Sequence, residues 1–204
     1  MASARVGSRQ TPNDRRRPSG RLRIALGLEP SAHNWLVMSV EAHRQAAPAH
    51  IRCAVLTISD TRTEDTDTSG RAIGQLLQEN GHTVAARLIV TDDPDRIAAA
   101  LDRLLAADDV QVVLTTGGTG ISRRDSTYEV VERLIEKRLD GFGELFRMLS
   151  YSEIGPAAML TRACAGVARG CVLFVMPGSE AAVRLAMQKL ILPELGHVVR
   201  ETTR

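Results

Sequence analysis

Residues 110–125 read Val-Gln-Val-Val-Leu-Thr-Thr-Gly-Gly-Thr-Gly-Ile-Ser-Arg-Arg-Asp. The apolar run Val110 to Leu114 is too short for a helix, so it predicts a buried strand, central in its sheet. The glycine-rich turn Gly117-Gly118-Thr119-Gly120 follows that strand directly. Upstream, Asp93-Pro94 is a helix opening, because an Asp oxygen accepts from free amides and Pro presets φ at the first helical position. The helix it opens carries Ile97, Leu101, Leu104 and Leu105 on one face. Val84 to Val90 reads as a strand. Ala72, Ile73, Leu76 and Leu77 recur at helical spacing up to Asn80-Gly81, a helix-ending pair. Cys53 to Ser59 reads as the first strand, ending at Asp60 and a polar stretch, Thr61 to Gly70.

Downstream of Asp125, the positions Val131, Leu134, Ile135 and Leu139 keep a helical period that Gly141 is expected to close. Phe142 to Ser150 predicts a second helix, Ala157 to Val167 an apolar helix suited to subunit contacts, Cys171 to Val175 a fourth buried strand, and Ala181 to Leu190 the last main helix. Strands alternating with helices, several apolar on both faces, predict an α/β fold: three layers, with a mostly parallel sheet between helices.

Composition bounds the rest. A chain of 204 residues, 44% hydrophobic but only 3% aromatic, fits one domain with an aliphatic core. Cys53, Cys164 and Cys171 are odd in number and lack a CxxC pair or a His-rich neighbourhood, so neither a disulfide framework nor a zinc site is indicated. No apolar run approaches the ~20 residues of a membrane span, and no secretory signal pattern opens the chain, so a cytoplasmic location is expected. Residues 1–37 hold seven Arg against Asp14 and Glu29, while the whole chain is only +2. The remainder is therefore net acidic. Residues 1–37 are expected to form a disordered basic extension, with Met38 a second candidate start and residues 38–204 the domain. The Arg-rich head lacks interleaved aromatics, which argues against nucleic-acid binding.

In an open parallel sheet, ligands gather beyond the carboxyl ends of the strands. Ser59-Asp60, Thr91-Asp92, Thr116 to Asp125 and Pro177-Gly178-Ser179 all fall there. A loop with no side chains at Gly117, Gly118 and Gly120 lets successive amides approach a phosphate, with the hydroxyls of Thr116 and Thr119 as further donors. The same tetrapeptide also suits a mere tight turn. It is neither a Walker loop nor the dinucleotide GxGxxG fingerprint. Asp125 precedes a helix, so it can cap it; it can also hold Mg²⁺ with hard carboxylate oxygens. Asp92 is left free by the better cap, Asp93. Asp67-Thr68-Ser69-Gly70 can bind an anion at a helix start or simply cap that helix. Glu144 and Arg147 are spaced for a surface ion pair.

Residues 53–60 and 67–70, Thr115 to Asp125, Gly141-Phe142-Gly143-Glu144 and Pro177-Gly178-Ser179, in this order, resemble the molybdopterin-binding family of molybdenum cofactor biosynthesis. They span about three quarters of the chain. The run Phe146 to Ser150 with Glu153-Ile154-Gly155 is closer to the bacterial B-type branch than to the G-type adenylyltransferases. The resemblance implies transfer of AMP from ATP to molybdopterin with Mg²⁺, releasing pyrophosphate. It implies that Asp92 and Asp125 are the functional acids, with Asp125 at the metal. Thr116, Gly117, Gly118, Thr119 and Gly120 would form the ligand loop, and Ser59, Asp60, Ser69, Gly70, Glu144, Pro177, Gly178 and Ser179 would line the pocket. It also implies a homo-oligomer, trimer or hexamer, and contact with other molybdenum cofactor enzymes. A non-catalytic molybdopterin-binding or scaffold protein is the alternative that the same residues allow. Tyr128 stands where the family often has Pro, three residues after the acid equivalent to Asp125.

Overall fold

The computed structural model describes residues 41 and 43–203. The expected extension over residues 1–37, and Met38, lie outside the described residues. In chain order the elements are β1 (Arg52–Ile58), α1 (Thr68–Glu79), β2 (Thr83–Val90), α2 (Pro94–Leu105), β3 (Val112–Thr116), α3 (Thr127–Leu134), β4 (Lys137–Arg138), α4 (Asp140–Ile154), a 3₁₀ turn (Gly155–Leu160), β5 (Cys164–Ala168), β6 (Cys171–Met176), α5 (Glu180–Ala186), a π turn (Met187–Ile191) and α6 (Leu192–Thr202).

Six strands form one sheet in the order β2-β1-β3-β6-β5-β4. The pairs β1/β2, β1/β3 and β3/β6 are parallel, whereas β5 runs antiparallel to both β6 and β4. The strand described by residues 112–116 is central, as its fully buried sequence requires. Successive side chains of a strand point to opposite faces, and the two cores divide accordingly. Cys53, Val55, Val112, Leu114, Val172, Phe174 and Met176 meet α1, α4, α5 and α6 on one face. Ala54, Leu56, Ile58, Val113, Leu173 and Val175 meet α2 and α3 on the other. This is the three-layer α/β architecture expected from the sequence. Each fully buried Leu or Ile of these layers contributes roughly 1.5–3 kcal/mol of burial.

Helix starts follow the local signals. Asp93 caps α2 by accepting from the Arg96 amide at 3.0 Å, with Pro94 behind it. Asp67 caps α1 by accepting from the Gly70 amide at 2.8 Å.

Three expectations are corrected. The helix after Asp125 does not run to Gly141. Ile135 turns extended, and the amides of Glu136 and Leu139 donate to the Val167 and Ala165 carbonyls, so the backbone joins the sheet as β4. Gly141 then lies inside α4. Ala157 to Val167 is not a helix either. Its first part is the 3₁₀ turn, and from Cys164 it pairs with β6. The turn Arg169-Gly170, with φ of 51° and 78°, is the two-residue hairpin that makes this pairing possible. Finally, the helix over Ala181 to Leu190 continues through the π turn into α6, so Leu190 is not its end.

Candidate functional site at the carboxyl rim

The carboxyl ends of β1, β3 and β6 meet at one rim, and backbone hydrogen bonds sew their loops together. The Gly117 amide donates to the Met176 carbonyl at 3.1 Å, and the Thr116 hydroxyl donates to the Pro177 carbonyl at 2.9 Å. The Ser69 hydroxyl reaches the Gly178 carbonyl at 2.8 Å, tying the start of α1 to the same place. Gly178 itself packs against the Gly117 backbone, at 3.3 Å from where its Cβ would stand to the Gly117 Cα. Ser179 caps α5 by accepting from Ala182.

The glycine turn is held in a conformation that side chains rarely adopt. Gly117 has φ of +101° and Gly118 of +61°. This turn lets the Thr127 amide donate to the Gly118 carbonyl at 3.1 Å, which places α3 directly on the loop.

Both acids flank it. The Asp92 carboxylate accepts from the Ser126 amide at 3.2 Å and from the Ser126 hydroxyl at 3.1 Å. Asp92 thereby holds Ser126, the residue at the cap position of α3, from another loop. Asp125 does not cap that helix; Ser126 occupies the cap position, and Asp125 turns back to accept from the Ser122 amide at 2.9 Å and the Ser122 hydroxyl. A Cβ on Gly118 would lie 2.8 Å from Asp92 Oδ2, and one on Gly120 2.7 Å from Asp125 Oδ2, so the carboxylates stand against the two ends of the turn. Asp60 joins them, accepting from the Asp92 amide at 3.2 Å and pairing with Arg124 at 2.8 Å.

The two acids are pushed in opposite directions. Burial raises Asp92 above the ordinary carboxylate range, and the negative charges of Asp125 and Asp60 add to it, against the two bonds from Ser126. The Ser122 hydroxyl holds Asp125 below that range, helped by the Ser122 and Gly120 amides and the positive charge of Arg162, against partial burial. Charge is thus most secure at Asp125. The two neighbouring carboxyl groups thus sit in opposed environments.

Residues that the sequence reading did not single out complete the rim. Arg162, just before β5, donates to the Thr119 carbonyl at 3.0 Å and to the Asp125 carbonyl at 3.2 Å, also bonds the Gly120 carbonyl, and pairs with Glu129. Its guanidinium lies over the Tyr128 ring at 5.3 Å. Tyr128, standing where the family often has Pro, therefore forms part of the wall that steadies Arg162. No local motif marks Arg162, because its partners are some forty positions away in sequence. Ser126 was legible only as the neighbour of Asp125. The Thr127 hydroxyl is buried beside Gly118 and has no hydrogen-bond partner among the described residues.

Ser59 stays local, accepting from the Thr61 and Arg62 amides at 3.2 Å each. With Asp60 it enters a cavity of about 750 Å³ beside the rim, whose wall also carries Arg62, Arg96 and Arg103. The glycine turn is not part of that wall. Glu144 lines a cavity of about 200 Å³ with Tyr128, Arg138 and Arg147. It does not make the expected pair with Arg147, which instead points to the Ala163 carbonyl at 3.5 Å. The cysteines offer no nucleophile: all three are buried, and burial pushes the Cys53 thiol up to about 12 and that of Cys164 to about 11. Among the described residues, no helix is long and apolar enough to cross a membrane.

Residues 54–197 match the family described as "Probable molybdopterin binding domain". The chain is 55% identical over 168 residues to the molybdenum cofactor biosynthesis protein B of Bacillus anthracis, an alignment covering 82% of this chain and 99% of the relative. A crystal structure of a molybdenum cofactor biosynthesis protein B superposes with a TM-score of 0.75 at 55% identity, covering 78% of this chain and 99% of that one. The tungsten cofactor synthesizing protein of Pyrococcus furiosus superposes with a TM-score of 0.71 at 38% identity, covering 78% and 100%.

Proposed function

This chain belongs to the molybdopterin-binding family of molybdenum cofactor biosynthesis, and from that premise we propose that its carboxyl rim binds molybdopterin and transfers AMP to it from ATP. The observation that carries the proposal is the junction of Asp92, Asp125 and the turn Gly117 to Gly120 through Ser126, Ser122 and Thr127. Phosphoryl-type transfer needs positioning and charge stabilisation more than a nucleophilic side chain. The rim supplies both.

The terminal phosphate of molybdopterin attacks the α-phosphorus of ATP. The bond from that phosphorus to the oxygen bridging it to the β-phosphate breaks, and pyrophosphate leaves with the electron pair. The residues at the rim fit Mg²⁺: Asp125 is kept ionised, Asp92 stands beside it, and the partnerless Thr127 hydroxyl adds another hard oxygen nearby. A bound Mg²⁺ would neutralise charge on the triphosphate. The amides of the glycine turn that Met176 and Asp125 leave free orient phosphate oxygens, and the Arg162 clamp keeps the turn in place. Asp92, with its raised pKa, orients α3 and the turn from the far side. The arginines of the cavity beside Asp60 suit the remaining phosphate charge. Glu144, Ser59, Ser69, Gly70, Pro177, Gly178 and Ser179 are assigned to the wider pocket. Like its relatives, the protein would work in the molybdenum cofactor pathway, and as a trimer or hexamer in the cytoplasm.

The test measures pyrophosphate from ATP, Mg²⁺ and molybdopterin. The wild type is expected to release it, and Asp125→Ala and Asp92→Ala to lose at least about 100-fold in rate. Molybdopterin binding without pyrophosphate in the wild type would overturn the transferase reading and leave a binding protein.

A further inference from the structure

At the amino ends of the parallel strands, opposite the rim, the segment before β1 lies across α6. Gly196 permits the approach: a Cβ there would meet the Pro48 carbonyl at 2.6 Å and the Ala47 Cβ at 3.3 Å. Arg44 fastens the same segment to α6 through Glu194, which its Nε reaches at 3.0 Å. The crossing carries His43 onto the helix face where His197 and Glu201, four residues apart, stand side by side. One ligand atom of each of these three residues lies within 4.8 Å of the others. His43 Nδ1 is 3.7 Å from Glu201 Oε1, and the two imidazole rings meet edge to face at 5.7 Å.

We propose that His43, His197 and Glu201 form a site for a divalent transition metal ion of the zinc class, which clasps the segment before β1 to α6. Two imidazoles and a carboxylate are a ligand set that such ions prefer, whereas Mg²⁺ and Ca²⁺ require oxygen donors. His197 is already oriented for the task. Its Nδ1 is held by Glu194 at 3.0 Å, which leaves Nε2 to bind and reproduces the carboxylate–histidine arrangement found behind metal-bound imidazoles. A tetrahedral ion with bonds of about 2.0 Å holds its ligand atoms somewhat over 3 Å apart, so the side chains have only to close by roughly an ångström. His43 and Glu201 have the room, with side chains 41% and 42% exposed. That exposure also opens the site to solvent. Glu201 shares Oε1 with Arg200 at 3.0 Å, a partner that the ion would displace or share. The three cysteines are buried elsewhere and do not compete. No zinc-type spacing shows among these residues in sequence, because His43 and His197 lie more than 150 positions apart.

The experiment titrates Zn²⁺ into the full chain by calorimetry, and follows Co²⁺ by its visible absorption. One Zn²⁺ per chain and the intense bands of tetrahedral Co²⁺ are expected. His43→Gln, His197→Gln and Glu201→Gln should each weaken binding at least about tenfold, the double histidine variant should abolish it, and Glu194→Gln should cost about 10- to 100-fold. These positions are exposed or half-buried, so circular dichroism is expected to show folded variants. Asp92→Ala and Asp125→Ala should retain full Zn²⁺ affinity, which separates this site from the rim. Unchanged affinity in the double histidine variant, absence of the Co²⁺ bands, or loss of Zn²⁺ binding in the rim variants would overturn the proposal.

Discussion

At the rim, a methyl group on Gly117 would come within 2.1 Å of the Ile58 carbonyl oxygen, and one on Gly118 within 2.1 Å of the Thr127 hydroxyl; on Gly141, at the start of α4, it would meet nothing within 4 Å. The same residue type thus serves two unlike settings. At the rim, glycine is demanded by backbone that must pass close to other backbone and by φ values above zero. At the start of α4 it is only an absence of side chain on an accessible surface. Gly141, without neighbours, marks a surface; the crowded Gly117 and Gly118 mark a place where loops converge, and that place is flanked by three acids.

Gly117→Ala should break this comparison most severely. Its φ of +101° and the carbonyl at 2.1 Å combine backbone strain with a clash that cannot relax. A loss of about 3 kcal/mol or more is expected in urea unfolding. A loss below about 1 kcal/mol would show that the turn yields easily. Gly118→Ala meets side chains rather than backbone, so a smaller cost of roughly 1–3 kcal/mol is expected. It should also weaken the Asp92–Ser126 contact, seen as faster amide exchange at Ser126; unaltered exchange would contradict the coupling of loop and helix.

The acids sharpen the comparison through pH. Asp92 has a raised folded pKa, so its contribution to stability is present below the unfolded value near 3.8 and lost as pH rises through the folded one. Asp125 has a lowered one, so its contribution is present above the unfolded value and lost as pH falls. Asp92→Asn should therefore gain on the wild type between acid and neutral pH, while Asp125→Asn should fall behind it over that range. Both differences stay within about 1 kcal/mol because the groups are partly solvated. Thermal melts from pH 3 to 7 that showed the same trend for both variants would refute the opposed environments. Gly141→Ala is the smallest effect: unchanged or up to about 1 kcal/mol more stable, from helix propensity. Clear destabilisation there would mean that this surface is packed in solution.

The parallel core was readable in the residues themselves. Short apolar runs at Cys53 to Ser59, Val110 to Leu114 and Cys171 to Val175 read as strands and are the buried β1, β3 and β6, and Asp93-Pro94 announces α2 through its own side-chain chemistry. The antiparallel edge was not. Residues 135–139 carry a helical period, yet their amides bond Val167 and Ala165, partners that local periodicity does not reveal. At the rim, the glycine turn and the acids were legible as types in the right places, while the clamp from Arg162 and the inward turn of Asp125 toward Ser122 were not.

By itself, then, the sequence determined which segments must be buried, where helices begin, and that glycine, hydroxyl and carboxylate chemistry lies at the carboxyl ends of the strands. Only the tertiary structure decided which acid is charged more securely, which arginine holds the turn, and that His43 reaches His197. The reason is physical: burial and capping depend on neighbours a few residues away, whereas pKa shifts and ligand sets depend on distances between groups that the chain brings together only when it closes on its core.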